Sequence, residues 1–289
     1  MEMAAGQSGD ERGTEMDNVL GYQGKRAVVT GAASGMGAAT AEVLAELGAE
    51  VIGMDRAPIA VAVQQAIAID LLDPASIEAA AGQIEGDVHA FFNCAGLPGP
   101  PFTDLETMLV NFIGGRQLIE TVAPKMPSGS SIVYVASAGG IGWQSNLAAF
   151  MDLFATDGYG AGKDWLEAHP ELWEGNGYAA SKQAINAWTA WRSVGMMRDN
   201  GIRLNCTNPG PTSTAMMPFF HDAVGKSLVD AAMGPVGRYS TPEEQAWAMV
   251  LLGSERASYV VGESLYADGG FYGALQTGQI DFSHLMPSD

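Results

Sequence analysis

From Lys25 onward the chain alternates short runs that are apolar throughout with longer stretches mixing alanine, leucine and acidic residues. Residues 25–30 (KRAVVT) predict a buried strand, followed by glycines and a helix through Leu47 that Gly48 ends. A second strand is predicted over residues 50–55 (EVIGMD), with further strands over 66–69, 89–93, 131–136, 202–206 and 264–267. Strands without a polar face need cover on both sides, as in a parallel sheet. Their alternation with helices predicts an α/β fold: a doubly wound parallel sheet flanked by helices. Near the end, Thr241-Pro242-Glu243-Glu244 is a helix start, with Thr241 as cap, Pro242 in the first turn and Glu244 completing a capping box.

Composition narrows the class. Apolar residues make up 47% of the chain and charged residues 16%, the balance of a globular domain. A net charge of -19 repels phosphate backbones and anionic lipid, which argues against nucleic-acid or membrane-surface partners. No run of 18 apolar residues is present to span a bilayer. Residues 1–18 carry five acids and one arginine, unlike a secretory leader. Residues 1–20 are therefore expected to form a disordered acidic tail, 21–275 one catalytic domain, and 276–289 a C-terminal tail. Cys94 and Cys206 lie in apolar, strand-like segments and read as buried thiols. His89, His169, His221 and His284 show no ligand spacing. These features predict no bound metal and a reducing, cytoplasmic location.

Thr30-Gly31-Ala32-Ala33-Ser34-Gly35-Met36-Gly37 follows the first strand and opens the first helix. Gly31 allows a tight turn; Gly35 and Gly37 allow backbone to approach a pyrophosphate and helix to approach sheet. The amides of the helix start, Ser34 and Met36 among them, face the phosphates with a partial positive charge. This strand–turn–helix context predicts a Rossmann-type, single-domain dinucleotide site. Asp55 ends the second strand 18 residues past Gly37. A carboxylate there accepts from ribose hydroxyls and repels a 2′-phosphate, which favours NAD over NADP; Arg56 beside it works against that preference.

Tyr178 and Lys182 are four residues apart and share one face of a helix. An ammonium nearby favours the phenolate and is expected to bring the tyrosine, ordinarily near a pKa of about 10, toward working pH. Tyr178 then takes a proton from an alcohol, or returns one to a carbonyl, as hydride moves. Ser137 ends a predicted strand at its carboxyl side, where open α/β sheets bind ligands, and is placed to steady the substrate oxygen.

With these residues in view, the sequence over roughly residues 22–272 resembles the short-chain dehydrogenase/reductase family. The matching stretches are Thr30 to Gly37, Asn93-Cys94-Ala95-Gly96, Asn111 in Val110-Asn111-Phe112, Ser137, Tyr178 with Lys182, Pro209-Gly210 and Asp268-Gly269. The resemblance implies an NAD-dependent oxidoreductase with Tyr178 as general acid/base. It gives Lys182 to the nicotinamide ribose, Ser137 to the substrate and Asn111 to a water-linked proton relay. It assigns Asp70 and Leu71 to an adenine pocket, and Asn93, Ala95 and Gly96 to the adenosine ribose. Pro209, Gly210, Thr212 and Thr214 would cover the carboxamide and pyrophosphate. Cys94 departs from the family's usual asparagine. An intact serine, tyrosine and lysine argue against two alternatives: an NAD(H)-sensing binding protein without turnover, and a lyase or epimerase on the same scaffold.

Between Ser137 and Tyr178 lie 40 residues, 138–177, far more than the family's usual spacing. The excess, about 143–177, contains the apolar stretch 148–154 and a predicted helix over 163–173, so it is expected to be a structured insertion. This spacing is similar to the 3α-hydroxysteroid dehydrogenase/carbonyl reductase and coniferyl-alcohol-dehydrogenase-like subgroup. That similarity implies a homodimer or homotetramer, with a dimer formed away from the insertion. Met216, Met217, Phe219 and Phe220 form an apolar patch beside Thr212 and Thr214, suited to a bulky apolar alcohol or ketone such as a steroid, aryl alcohol or terpenoid.

Overall fold

The structure, a computed structural model, describes residues 18–280. The tail expectations for 1–17 and 281–289, with His284, lie outside the described residues. Residues 18–20, assigned to the tail by the sequence, form a turn in which Leu20 packs partly against the core and the Val19 carbonyl accepts from Arg256 Nε.

Strand β1 (Arg26–Thr30) leads through the glycine turn into α1 (Gly35–Glu46), then β2 (Glu50–Asp55), β3 (Gln65–Ala68), α2 (Pro74–Gly82) and β4 (Ala90–Asn93). Next come α3 (Asp104–Met108), a π-helical turn (Leu109–Gly114), α4 (Gly115–Val122) and β5 (Ser131–Val135). The chain continues through α5 (Trp143–Phe154), α6 (Gly158–Ala168), α7 (Gly177–Asn200) and β6 (Arg203–Pro209). It closes with α8 (Met217–Val224), α9 (Lys226–Ala231), α10 (Pro242–Gly253), β7 (Ser264–Ala267) and α11 (Phe271–Gln276).

The seven strands form one parallel sheet in the order β3-β2-β1-β4-β5-β6-β7. In the central strands successive side chains enter opposite faces and both faces are buried, while the edge strands β3 and β7 are only partly covered. Val28, Phe91 and Ile132 join one core with Trp188 and Leu204, while Val29, Phe92 and Val133 join the other with Leu44, Met249 and Val250. This burial on both sides is why the strands carry no polar face. Strand order reverses between β1 and β4, so the carboxyl ends of those strands diverge and open a crevice.

Two elements differ from the sequence expectation by more than one residue at an end. Strand β6 runs on to Pro209 because the polar side chain of Asn208 finds buried partners and the Thr207 carbonyl accepts from Ala136 N–H. The insertion's second helix, expected over 163–173, starts earlier at Gly158 and stops at Ala168, since Pro170 lacks the N–H a continuing helix needs. Trp173 sits past it, its indole donating to the Leu166 carbonyl. The Thr241 capping box forms as expected.

Candidate active site

The glycine turn is shaped by close backbone approach. A Cβ on Gly37 would lie 2.2 Å from the Gly31 carbonyl oxygen, so only glycine lets the helix start fold back against the turn. Gly31 takes φ +69° and presses on the Ala95 backbone, which ties the turn to the loop after β4. Together they leave a cleft of about 420 Å³ at the carboxyl ends of β1, β2 and β4. It is walled by the turn itself, by Asp55 and Arg56, by Ile69–Leu71, and by the 94–97 loop. Thr214 and Met216 close it from above. A concave site with a helix N-terminus at its floor fits a dinucleotide diphosphate.

Asp55 is held by two backbone amides: Ala33 N–H donates to Oδ2 at 3.0 Å and Ala57 N–H to Oδ1 at 2.9 Å. The carboxylate therefore stands at the mouth of the glycine turn. Arg56, on the cleft wall, has its guanidinium carbon 5.6 Å from the centre of the Phe102 ring. Asp70 accepts from Leu72 N–H and forms a tight turn with Leu71 on the cleft wall.

Asn93 is not at the cleft surface. It is buried, and its Oδ1 accepts from the Thr30 hydroxyl, which in turn accepts from Ala95 N–H. Its part is to hold Ala95 and Gly96 in place. Cys94, expected inside a strand and buried, lies one residue past β4, half-buried against the cleft, with its thiol pushed up to about 12 by burial. Cys206 is fully buried on β6 as expected.

Beside the loop after β4, Asn176 caps α7 by accepting from Ala179 N–H, and Tyr178 and Lys182 follow on its first turns, Lys182 Nζ approaching Gly96. The Tyr178 ring and the Ser137 hydroxyl flank Gly139, where a Cβ would lie 3.3 Å from Tyr178 Cε1 and 3.5 Å from Ser137 Oγ. Lys182 Nζ donates to the Val135 carbonyl at 2.9 Å and lies 5.6 Å from the centre of the Tyr178 ring. Ser137 both caps the turn after β5, accepting from Gly139 N–H, and faces Tyr178, so its structural and chemical parts coexist.

The electrostatics differ from the sequence expectation. Burial pushes the Tyr178 phenol up to about 12, against the opposing pull of the Ser137 hydrogen bond. Burial also pushes Lys182 down to about 8. Desolvation, not attraction between the two groups, is the larger influence, so the phenol stands protonated at neutral pH.

Asn111 lies in the π-helical turn, buried. Its Oδ1 accepts from Leu97 N–H at 2.6 Å, and its Nδ2 donates to the Leu97 carbonyl and to Ser181 Oγ, both at 3.0 Å. Its carbonyl accepts from the Tyr134 hydroxyl. The Asn111 side chain is a tie joining the loop after β4 to α7.

Sequence reasoning missed two further residues. Asn186, one turn beyond Lys182, and Asn208 on β6 exchange reciprocal amide hydrogen bonds at 2.9 Å. Asn208 Oδ1 also accepts from Ser137 N–H, and Asn186 donates to the Lys182 carbonyl. The signal was a polar residue at a position otherwise reading as core.

Pro209 ends β6 opposite Ala267, and Gly210 packs its Cα against Asp268. Thr212 is buried and pairs with Ser240, outside the cleft lining, while Thr214 reaches it. The expected Met/Phe patch divides. Met216 closes the cleft, Met217 is buried and Phe219 is exposed. Phe220 stands edge-on to Tyr178 with ring centres 5.0 Å apart.

A parallel doubly wound sheet with a glycine turn at its switch point and a Ser–Tyr–Lys cluster beside it defines a dinucleotide-fold oxidoreductase. A short-chain dehydrogenase profile matches residues 25–152, and one described as enoyl-(acyl carrier protein) reductase matches residues 164–272. The coniferyl-alcohol dehydrogenase of a Pseudomonas strain is 31% identical, over 85% of this chain and 96% of its own. The 3-alpha-hydroxysteroid dehydrogenase/carbonyl reductase of Comamonas testosteroni is 28% identical, over 87% of this chain and 98% of its own. Among solved structures, a 3-alpha-hydroxysteroid dehydrogenase from Pseudomonas sp. B-0831, complexed with NADH, superposes with a TM-score of 0.74 at 26% identity, covering 88% of this chain and 99% of that one. The chain belongs to the short-chain dehydrogenase/reductase family of oxidoreductases.

Proposed function

We propose that the protein is an NAD(H)-dependent alcohol dehydrogenase/carbonyl reductase acting on a bulky apolar secondary alcohol or ketone. The observation that carries this reading is the clustering of Tyr178, Ser137 and Lys182 beside Gly96, a residue of the glycine-turn cleft where a Cβ would lie 3.7 Å from Lys182 Nζ. Asp55 at the mouth of the turn, with Arg56 drawn onto Phe102, supports NAD rather than NADP. When bound, the dinucleotide supplies or accepts the hydride at its nicotinamide carbon.

The chain's own residues handle the proton. In reduction, Ser137 Oγ and the Tyr178 hydroxyl donate hydrogen bonds to the carbonyl oxygen. As hydride reaches the carbonyl carbon, the C=O π pair moves onto oxygen, and Tyr178 gives up its proton to form the alcohol. Oxidation runs the same path backwards. Lys182, largely charged at neutral pH with a pKa of about 8, stabilises the phenolate left behind and would hold the ribose of the nicotinamide half.

Phe220 beside Tyr178 gives the substrate side an aromatic wall. Relatives named for coniferyl alcohol and hydroxysteroids support a flat, bulky substrate. In this reading the protein is cytoplasmic and works as a homodimer or homotetramer, its dimer contacts lying away from the insertion. The test is oxidation of aryl and steroid alcohols with NAD, read as NADH absorbance. Turnover with these substrates is expected, and its absence across aryl, steroid and terpenoid panels with both dinucleotides refutes the assignment.

A further inference from the structure

We propose that the insertion between Ser137 and Tyr178 braces the adenine side of the cleft, with Tyr159 as the positioning residue. This rests on the dinucleotide reading above, and it gives a purpose to a segment that the chemistry leaves unused.

The cleft wall at Ile69–Leu71 is a turn rather than a strand. Asp73 N–H donates to the Asp70 carbonyl, and Leu72 N–H to Asp70 Oδ1. Such a turn presents little surface of its own to keep its position. On the side away from the cleft, the buried Tyr159 of α6 donates its hydroxyl to the Leu72 carbonyl at 3.0 Å. From a second direction the Leu71 carbonyl presses on the π-helical turn, where a Cβ on Gly114 would be only 2.3 Å away. The wall is therefore gripped between the insertion and the start of α4.

The grip is anchored at its root. Arg116, two residues past Gly114, is buried and donates to the Leu153 carbonyl, Thr156 Oγ1 and the Gly158 carbonyl. These atoms form the joint between α5 and α6, immediately before Tyr159. At its other end the insertion meets the catalytic helix: Asn146 donates to Gln183 Oε1, and Gln183 Nε2 to the Ile141 carbonyl, one residue beyond Lys182. One structured segment thus touches the adenine wall and the helix carrying the acid/base pair. Hydrogen bonds, rather than packing alone, set the distance between the wall and the glycine turn.

The test is Tyr159→Phe, which keeps the ring and removes the hydroxyl, with Tyr159→Leu as a second variant. Binding of ADP-ribose and of NADH is measured by calorimetry on the full chain. Loss of one net hydrogen bond predicts that Tyr159→Phe weakens both by the same factor, roughly two- to tenfold. The rise appears in KM for NAD rather than in kcat, and Tyr159→Leu is at least as impaired. Wild type and Tyr159→Phe binding ADP-ribose equally overturns the brace, even if the melting temperature falls. Wild type without affinity for NADH, NADPH or ADP-ribose overturns the dinucleotide reading itself, and the brace with it.

Discussion

Replacing Asn208 with alanine should cost the fold far more than its side-chain size implies. Asn208 is fully buried, and its amide is the centre of a small polar network. Its Oδ1 accepts from Asn186 Nδ2 at 2.9 Å and from Ser137 N–H at 3.3 Å, and its Nδ2 donates to Asn186 Oδ1 at 2.9 Å. Alanine strands two of those groups, the Ser137 N–H and one Asn186 N–H. The Asn186 oxygen still accepts from the Cys206 thiol at 3.3 Å. One buried and one part-buried donor left unpaired, at about 1–3 kcal/mol for a fully buried one, give a loss of about 2–3 kcal/mol. Urea unfolding measures it directly. Removing Asn186 as well eliminates one of the stranded donors, so Asn186→Ala/Asn208→Ala should lose about 1–2 kcal/mol less than the sum of the singles. A single variant within about 0.5 kcal/mol of wild type, the ordinary range for inconsequential surface changes, or strict additivity in the double, refutes the network argument.

Tyr178→Phe should lower turnover by about 100- to 10,000-fold, the usual worth of a positioned general acid, while NADH binding persists; unchanged kcat removes Tyr178 from the chemistry. Asp55→Ala should narrow the NAD-over-NADP ratio of kcat/KM by about tenfold, the worth of a charge-assisted hydrogen bond, and an unmoved ratio shows that another group sets the preference. Gly37→Ala places a Cβ 2.2 Å from the Gly31 carbonyl and should abolish dinucleotide binding, checked by fluorescence titration. Lys182 has its folded pKa lowered from 10.5 to about 8, so its buried charge costs stability below pH 8. That cost fades as pH climbs through 8 toward 10.5, because there the unfolded chain holds the proton more tightly than the folded one. The stability gap between Lys182→Met and wild type should therefore shift in favour of wild type between pH 7 and 10; a gap constant across that range refutes the buried-charge account.

The sheet was legible because its strands carry their environment in their own residues. Val28 and Val29, or Phe91 and Phe92, enter opposite cores, and only a strand covered on both sides needs that pairing. The glycine turn and the Tyr178–Lys182 spacing were legible for the same local reason, since turn and helix geometry act over a few residues. What sequence alone did not show depends on distant partners. The amides of Asn93 and Asn111 bond Thr30, Leu97 and Ser181 from elsewhere in the fold, ties that no local pattern announces. The direction of the Tyr178 shift was misjudged because an i,i+4 spacing shows the lysine but not the burial that outweighs it. The insertion helix was placed too late because Gly158 and Gly162 weaken its helical pattern. In the fold, Gly162 lets α6 sit against Ile113 and Arg116.

Asp104 receives two amides that straddle the junction into the catalytic helix, with Gly175 N–H on Oδ2 and Gly177 N–H on Oδ1. Its own position is fixed by the capping box of Thr103 and Glu106. The returning chain is thus docked at a fixed quay before Tyr178 begins. That mooring sets the start of the helix from outside the insertion, so the phenol keeps its berth even when the insertion's own ties, Asn146 to Gln183 and Tyr159 to Leu72, are loosened.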